Sequence, residues 1–193
     1  MKAPIEFYFD FSSPYGYLAA NKIEPLAAKY GRAVTWRPML LGVAFKATGS
    51  VPLPSIPLKG DYAKRDFLRS ARFHDVPFRL PEPFPVSTVA PCRAFYSLQH
   101  EKDRVKLAKA LYRAYFLDNI NISEPENVLK VAASLGLKPD LNDQAVKDKT
   151  RAEVDAALAK GVFGSPYIVV DGEPFWGSDR LDQVERWLKT GGW

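Results

Sequence analysis

The sequence predicts an α/β protein whose small sheet is interrupted by a helical insertion. An aromatic strand pattern near the start leads into a helix and a second strand. The middle of the chain carries helical patterns separated by proline-rich stretches, and the last part returns to strands and helices. The predicted order is β-α-β, a helical block and then α-β-β-α, as expected of a layered α/β fold that has received an insertion.

The first unit consists of a strand, a helix and a second strand. Residues 5–11 alternate imperfectly between apolar and polar side chains and are rich in aromatic residues, which is typical of a buried strand. Ser13 is a good N-cap and Pro14 a good first helical residue, because proline lacks the N–H that would remain unpaired there. The helix is expected over about 14–30, and a strand at 33–38. Since the connection is short, the two strands are expected to be parallel.

Prolines mark the predicted breaks in the next part of the chain. Pro25 is expected to kink the first helix or to begin a new turn. Residues 49–57 and 76–86 are predicted to be irregular because they are rich in proline. The predicted helices of this part are 59–72, 89–99, 104–117 and 124–135. The last of them begins with the motif Ser123-Glu124-Pro125-Glu126, which fits a capping box.

The sequence pattern at the end of the chain predicts a helix, a hairpin and a closing helix. The helix covers 150–160, and strands are expected at 167–170 and 174–176. Asp171-Gly172, between these strands, is the strongest hairpin signal in the sequence. Ser178 is predicted to cap the closing helix. The apolar face of that helix is expected to consist of Leu181, Val184, Trp187 and Leu188.

Without the helical block, a four-stranded sheet with flanking helices remains. This is the thioredoxin-like arrangement, here with an inserted all-helical domain. We therefore expect residues 1–42 and 150–193 to form a thioredoxin-like domain, and residues 43–149 to form the inserted helical domain.

Composition excludes several classes of function. The net charge is +5, but bases and acids are interleaved and no nucleic-acid motif is present, so nucleic-acid binding is not predicted. No apolar run is long enough to span a membrane, and no signal peptide precedes the first strand, so a cytoplasmic protein is expected. A single cysteine, Cys92, excludes an internal disulfide, and His74 and His100 lack ligand spacing, so no metal site is predicted.

Ser13 is the expected chemical centre. It lies where a strand ends and a helix begins, a place where α/β proteins bind ligands and where the helix terminus favours anions. Asp10, just before it, either tunes the local charge or is a buried acid bound to the backbone, and we favour the second interpretation. An apolar pocket is expected to draw its walls from Tyr15, Tyr17, Trp36, Phe45 and the aromatic residues near Phe84.

Two motifs at opposite ends of the chain carry a resemblance to a known family. They are Phe7-Tyr8-Phe9-Asp10-Phe11-Ser12-Ser13-Pro14-Tyr15, and Val162-Phe163-Gly164-Ser165-Pro166 with Phe175-Trp176-Gly177-Ser178-Asp179-Arg180-Leu181. Together with Pro57-Leu58-Lys59-Gly60-Asp61-Tyr62, they resemble the 2-hydroxychromene-2-carboxylate isomerases and kappa-class glutathione transferases. The resemblance covers essentially the whole chain.

The resemblance implies a glutathione site. Ser13 would lie beside the glutathione sulfur, with the adjacent Ser12 as its competitor. Pro166 would follow a cis peptide bond, and the backbone of Ser165 would pair with the cysteinyl part. The remaining implied contacts are Ser178 and Asp179 for the γ-glutamyl end, Lys59 for the glycyl carboxylate, and Ser50 where the family often has asparagine.

The implied activity is a glutathione-dependent isomerisation. It would interconvert 2-hydroxychromene-2-carboxylate and trans-o-hydroxybenzylidenepyruvate. The substrate would be a small aromatic electrophile, and the reaction would belong to aromatic degradation. Members of the family are commonly dimers, so a homodimer is expected. The alternatives are a kappa-like transferase and a non-catalytic thioredoxin-fold module that binds a thiol or a partner. Dithiol exchange at Ser13-Pro14-Tyr15-Gly16 is excluded, because neither end of this motif is a thiol.

Overall fold

The computed structural model describes residues 3–193 and contains a four-stranded sheet with the order β2-β1-β3-β4. The strands are β1 (Ile5–Phe9), β2 (Val34–Pro38), β3 (Tyr167–Val170) and β4 (Glu173–Trp176). As predicted, β1 and β2 are parallel, while β3 runs antiparallel to both β1 and β4. The predicted thioredoxin-like sheet is therefore confirmed, and β1 lies in its interior.

Helices follow β1, separate β2 from β3 and close the chain after β4. They are α1 (Pro14–Ala20), α2 (Ile23–Lys29), α3 (Leu41–Thr48), α4 (Lys59–Phe73), α5 (Val89–Ser97), α6 (Glu101–Phe116), α7 (Pro125–Ser134), α8 (Gln144–Ala159) and α9 (Leu181–Thr190). Short 3₁₀ turns occupy Leu53–Ser55 and Ser178–Arg180. Helices α3 to α8 separate β2 from β3, as the predicted helical block requires. The expected domain boundaries, 42/43 and 149/150, fall inside α3 and α8, and the division into domains stays a prediction.

The first predicted helix is two helices. The break lies at residues 21–22 rather than at Pro25, which occupies the first turn of α2, where an N–H has no helical partner in any case. The Asn21 side chain donates to the carbonyl of Tyr17 at 2.8 Å and so satisfies the end of α1. This local hydrogen bond competes with continuation of the helix.

Two predicted helix starts are wrong. Ser123 does not cap α7: its hydroxyl donates to Asn121 Oδ1 at 2.7 Å, and Glu124 occupies the N-cap without a side-chain cap. Ser178 does not cap α9: the cap of its 3₁₀ turn is Gly177, whose φ of 111° is accessible to glycine. Helix α8 also begins earlier than predicted, because Asp143 accepts from the N–H of Ala145 and caps it.

The largest part of the core lies between β1 and the inserted helices. Phe9 contacts Phe95 of α5 and Tyr112 of α6, with ring centroids 6.3 Å and 5.6 Å apart. Trp36 packs edge-on against Phe7 at 5.1 Å. These aromatic contacts fix the carboxyl end of β1 against the insertion. Across residues 3–193, no helix has both the length and the apolar character needed to cross a membrane.

Candidate functional site

A cavity of about 1480 Å³ opens at the carboxyl end of β1. This volume exceeds the roughly 300–1,000 Å³ of ordinary ligand pockets, so it can hold two small reactants. Its walls come from the β1–α1 turn, from α3 and the proline-rich segment after it, and from the inner face of α4. Further lining residues lie in segments 84–89, 163–165 and 176–182.

Ser13 lies at the floor of this cavity and caps α1 as predicted. Its Oγ accepts from the N–H of Gly16 at 3.0 Å and donates to the carbonyl of Ser165 at 3.0 Å. The side chain is 5% exposed, and Pro14 follows as the first helical residue. The hydroxyl is therefore held at the amino end of a helix, and its proton can turn from Ser165 toward an anion in the cavity.

Ser12 has a different role from its neighbour. Its Oγ accepts from the backbone N–H of Val86 at 3.0 Å, which ties the β1–α1 turn to the segment that precedes α5. Ser12 also lines the cavity, so the sequence competitor for Ser13 is present at the site. The two hydroxyls differ in that only Ser13 caps a helix whose N-terminus faces the cavity.

Ser165 brings the far end of the chain to Ser13. The Ser165–Pro166 peptide bond is cis, as the resemblance implied, and the Ser165 hydroxyl accepts from the N–H of Asp10 at 2.9 Å. The carbonyl of Pro166 accepts from the N–H of Gly177 at 3.0 Å, which places the Ser178–Arg180 turn beside it. The residues around both end motifs of the sequence therefore meet at one cavity.

Asp10 is a buried acid bound to the backbone, as the favoured interpretation held. Its carboxylate accepts from the N–H of Ser12 at 2.7 Å, the N–H of Leu41 at 2.8 Å and the hydroxyl of Thr88 at 2.9 Å. Burial raises the pKa of Asp10, although these three hydrogen bonds act to lower it. The carboxyl lies among the lining groups at the base of the cavity.

Of the residues expected to contact the two ends of glutathione, some line the cavity and one does not. Ser178 is buried and Asp179 is exposed, and both line the cavity, with the Asp179 carboxylate 3.6 Å from the Arg180 guanidinium. Ser50 also lines it and accepts from the Thr48 hydroxyl at 3.0 Å. Lys59 begins α4, is exposed and is not among the lining residues, so its contact with a ligand stays a prediction.

The predicted aromatic walls are partly wrong. Tyr15, Phe45 and Phe84 line the cavity. Tyr17 and Trp36 do not: both are buried in the core, because each packs against aromatic rings of neighbouring elements. Cys92 is also fully buried, and burial raises the pKa of its thiol, which keeps it protonated and unreactive.

Asp66 is a lining residue that sequence reasoning missed. It accepts hydrogen bonds from the Tyr15 hydroxyl, from Arg69 and from Ser70. Burial alone would raise the pKa of Asp66, but the bonds from Tyr15 and Arg69 outweigh it and lower that pKa. In the sequence, Asp66 and Arg69 have the spacing of an ordinary surface pair, and only the packing of α4 beside α1 brings Asp66 to the cavity.

The fold and site define a class of protein. The chain matches the DSBA-like thioredoxin domain family over residues 4–189, and it belongs to that family. Within it, the chain belongs to the group of 2-hydroxychromene-2-carboxylate isomerases and kappa-class glutathione transferases, which confirms the resemblance seen in the sequence.

Three relatives support this placement. The chain is 31% identical to a 2-hydroxychromene-2-carboxylate isomerase of Sphingobium xenophagum, over 97% of this chain and 99% of the relative. It is 29% identical to glutathione S-transferase kappa 2 of Caenorhabditis elegans, over 95% and 91% of the two chains. A solved structure of a 2-hydroxychromene-2-carboxylate isomerase is similar with a TM-score of 0.86 and 26% identity, and the match covers 96% and 94%.

Proposed function

We propose that this protein is a glutathione-dependent isomerase that interconverts 2-hydroxychromene-2-carboxylate and trans-o-hydroxybenzylidenepyruvate. One observation carries the proposal: a buried serine hydroxyl, rather than a thiol, caps the helix that opens into the large cavity. Because the chain supplies no thiol there, a thiol chemistry at this position needs a thiol from a bound molecule. The similarity to named isomerases and kappa transferases supports glutathione as that molecule.

The residues of the cavity fit the parts of glutathione. The Asp179 carboxylate suits the α-ammonium group, and the N–H groups of the turn that begins at Ser178 suit the α-carboxylate. The Ser165 backbone, next to the cis bond, would pair with the cysteinyl part. Ser13 and the N-terminus of α1 would face the sulfur and stabilise its anionic form.

The contribution of each partner to the reaction is distinct. When bound, glutathione would supply a thiolate for reversible addition to the substrate double bond; opening of the ring C–O bond would free the resulting single bond to rotate, and expulsion of the thiolate would restore the double bond and the glutathione, so no redox partner would be consumed. The Ser13 hydroxyl turns from the Ser165 carbonyl to donate to the sulfur, which lowers the thiol pKa. The apolar walls, including Phe45, Phe67 and Phe84, hold the aromatic ring and exclude water.

The direct test is turnover of 2-hydroxychromene-2-carboxylate with and without glutathione, followed by absorbance and by a thiol count. We expect conversion that requires glutathione and leaves its concentration unchanged. Loss of glutathione in step with substrate would instead identify a kappa-like transferase, which the C. elegans relative makes the second candidate. Glutathione binding without turnover of any electrophile would contradict both enzymes and favour a binding module.

We also propose that the protein is a cytoplasmic enzyme of aromatic degradation and acts as a homodimer. Three of the large apolar side chains that the described part of the chain leaves exposed lie at or on α4 and outside the cavity: Leu58, Tyr62 and Leu68. Of these, Leu58 is 93% exposed and Tyr62 62%. Side chains of this size rarely remain in water without a partner when they form a patch.

A second copy of the chain suits this surface. Tyr62 and Arg69 lie two helical turns apart on one side of α4, outside the cavity, and the Arg69 guanidinium donates to the Tyr62 hydroxyl at 2.9 Å. The first turn of α4 contains Asp61 together with Lys59, and the last turn contains Arg72. Two copies of α4 packed antiparallel about a twofold axis would therefore pair opposite charges around the apolar side chains.

Size-exclusion chromatography with light scattering tests the dimer. We expect the wild-type protein to have twice the chain mass, and the double variant Leu58→Glu/Tyr62→Glu to dissociate, because charged groups would be buried without partners. Leu129→Glu, which changes a 43% exposed leucine on α7, should remain dimeric and serves as the matched control. A monomeric wild-type protein, or a dimeric double variant, would contradict this interface.

A further inference from the structure

Asp10 joins three separate walls of the cavity. Its Oδ1 accepts from the N–H of Ser12 in the β1–α1 turn, and its Oδ2 accepts from the N–H of Leu41, the first residue of α3. The same Oδ2 accepts from the hydroxyl of Thr88, the N-cap residue of α5. Asp10 is 3% exposed, so its carboxylate has little access to solvent.

The backbone of Asp10 adds contacts with the rest of the site. Its N–H donates to the Ser165 hydroxyl, and its carbonyl accepts from the N–H of Ser13 and from the Tyr112 hydroxyl, both at 3.0 Å. Ser13 is therefore held by Asp10 from one side and by Ser165 from the other. A shift of Asp10 would move the Ser13 hydroxyl relative to α3 and α5.

We propose that Asp10 is a positioning residue, whose carboxylate holds the Ser13 turn in register with the α3 and α5 walls. The inference rests on the proposed function, in which Ser13 faces the thiolate and these walls hold the aromatic substrate. Asp10 would thereby set the distance between the thiolate at Ser13 and the aromatic substrate held by the α3 and α5 walls. Thr88 shares this task, since its hydroxyl donates to the carboxylate instead of capping α5.

Only a side chain with two oxygens that both accept hydrogen bonds can make all three of these bonds. Two of the three donors are backbone N–H groups, Ser12 on one side of the carboxylate and Leu41 on the other. An asparagine at position 10 has one accepting oxygen and one donating NH₂ group. In either orientation its NH₂ group would face one of the two N–H groups, so one wall would lose its bond at nearly unchanged side-chain volume.

The experiment compares Asp10→Asn with Thr88→Val. We expect each to lower kcat by about tenfold to a hundredfold, because displacements of about an ångström have effects of that size. The Kd for glutathione, measured by calorimetry, should change little, because Ser178 and Asp179 lie on another wall. Thr88→Ser should restore activity, and the double variant should lose less than the product of the two single losses.

A matched control and a second readout separate positioning from damage to the fold. Thr150→Val removes a buried threonine hydroxyl that donates to the Val146 carbonyl in α8, and it should leave kcat unchanged. Amide exchange at Ser12 and Leu41 should accelerate at one of the two positions in Asp10→Asn.

Three results would overturn the proposal. They are wild-type turnover by Asp10→Asn, parallel losses of glutathione affinity and turnover, and unchanged exchange at both amides. The failure of the proposed function is a different result: the wild-type protein itself would not convert the chromene substrate, while the exchange data would still decide whether Asp10 holds the turn.

Discussion

Ser13→Ala is expected to lower kcat by about a hundredfold to a thousandfold, the usual cost of removing one donor to a reactive anion. The hydroxyl is the donor that the structure places at the amino end of α1, where it already exchanges hydrogen bonds with Gly16 and Ser165. Under the proposed function, a glutathione thiolate in Ser13→Ala would keep the helix terminus but lose its direct hydrogen bond. Steady-state kinetics with 2-hydroxychromene-2-carboxylate and glutathione measure this loss.

The same substitution should also raise the pKa of the bound glutathione thiol. The reason is that removal of the donor makes the anionic form less stable than the neutral thiol. The thiolate fraction then falls at a given pH, and the ultraviolet thiolate absorbance of the complex follows it during a pH titration. An unchanged midpoint in Ser13→Ala would contradict a direct contact between this hydroxyl and the sulfur.

Two further variants separate catalysis from capping. Alanine at an N-cap costs about 1 kcal/mol of stability, whereas glycine costs only about a few tenths. Ser13→Gly and Ser13→Ala should therefore share the loss of activity and differ in the free energy of unfolding.

Ser12→Ala provides the remaining comparison. If it abolishes activity while Ser13→Ala retains it, Ser12 is the functional serine.

Gly16→Ala is expected to have the second largest effect. A Cβ at position 16 would lie 2.7 Å from the Ser165 Oγ, 2.9 Å from the Tyr112 hydroxyl oxygen and 3.1 Å from the Ser13 Cβ. All three neighbours are buried, so the added methyl must displace groups that hold Ser13. We expect a loss of about 1–3 kcal/mol in the free energy of unfolding, the typical cost of overpacking. We also expect at least about a tenfold loss of kcat.

Gly42→Ala is the matched control for stability. Gly42 lies in α3, and a Cβ there would meet no atom within 4 Å. Alanine should therefore stabilise the protein by about 0.4–1 kcal/mol, because it restricts the unfolded chain and favours the helix. Urea denaturation of both variants measures the difference. Equal stabilisation by both substitutions would show that the close packing around Gly16 is relaxed in solution.

A feature could be predicted from the sequence when the residues that determine it are close together in the chain. The strand β1, the cap at Ser13 and the turn at Asp171-Gly172 were predicted because each depends on neighbours within a few residues. The thioredoxin-like order of elements followed from the same local patterns, and both end motifs pointed to the cavity.

Features that depend on distant partners were not predictable in the same way. Serine is a common N-cap residue, but Gly177 and not Ser178 occupies the cap position, where its N–H donates to the Pro166 carbonyl. The break after α1 depends on the hydrogen bond from the Asn21 side chain to the Tyr17 carbonyl. Asp66 reaches the cavity only because α4 packs beside α1. A single sequence contains no local signal for such contacts.

The hydrogen bond from Ser13 to Ser165 spans 152 residues of sequence. A ribosome that has released β1, α1 and the whole helical insertion has still produced no binding site, because the serine that receives this bond follows α8. In the nascent chain β1 can pair with β2 on one edge, but its other edge stays open until the final hairpin is made and β3 pairs with it. Truncation before β3 is therefore expected to remove the entire site, because Ser165 and the turn at Ser178–Arg180 follow the helical insertion.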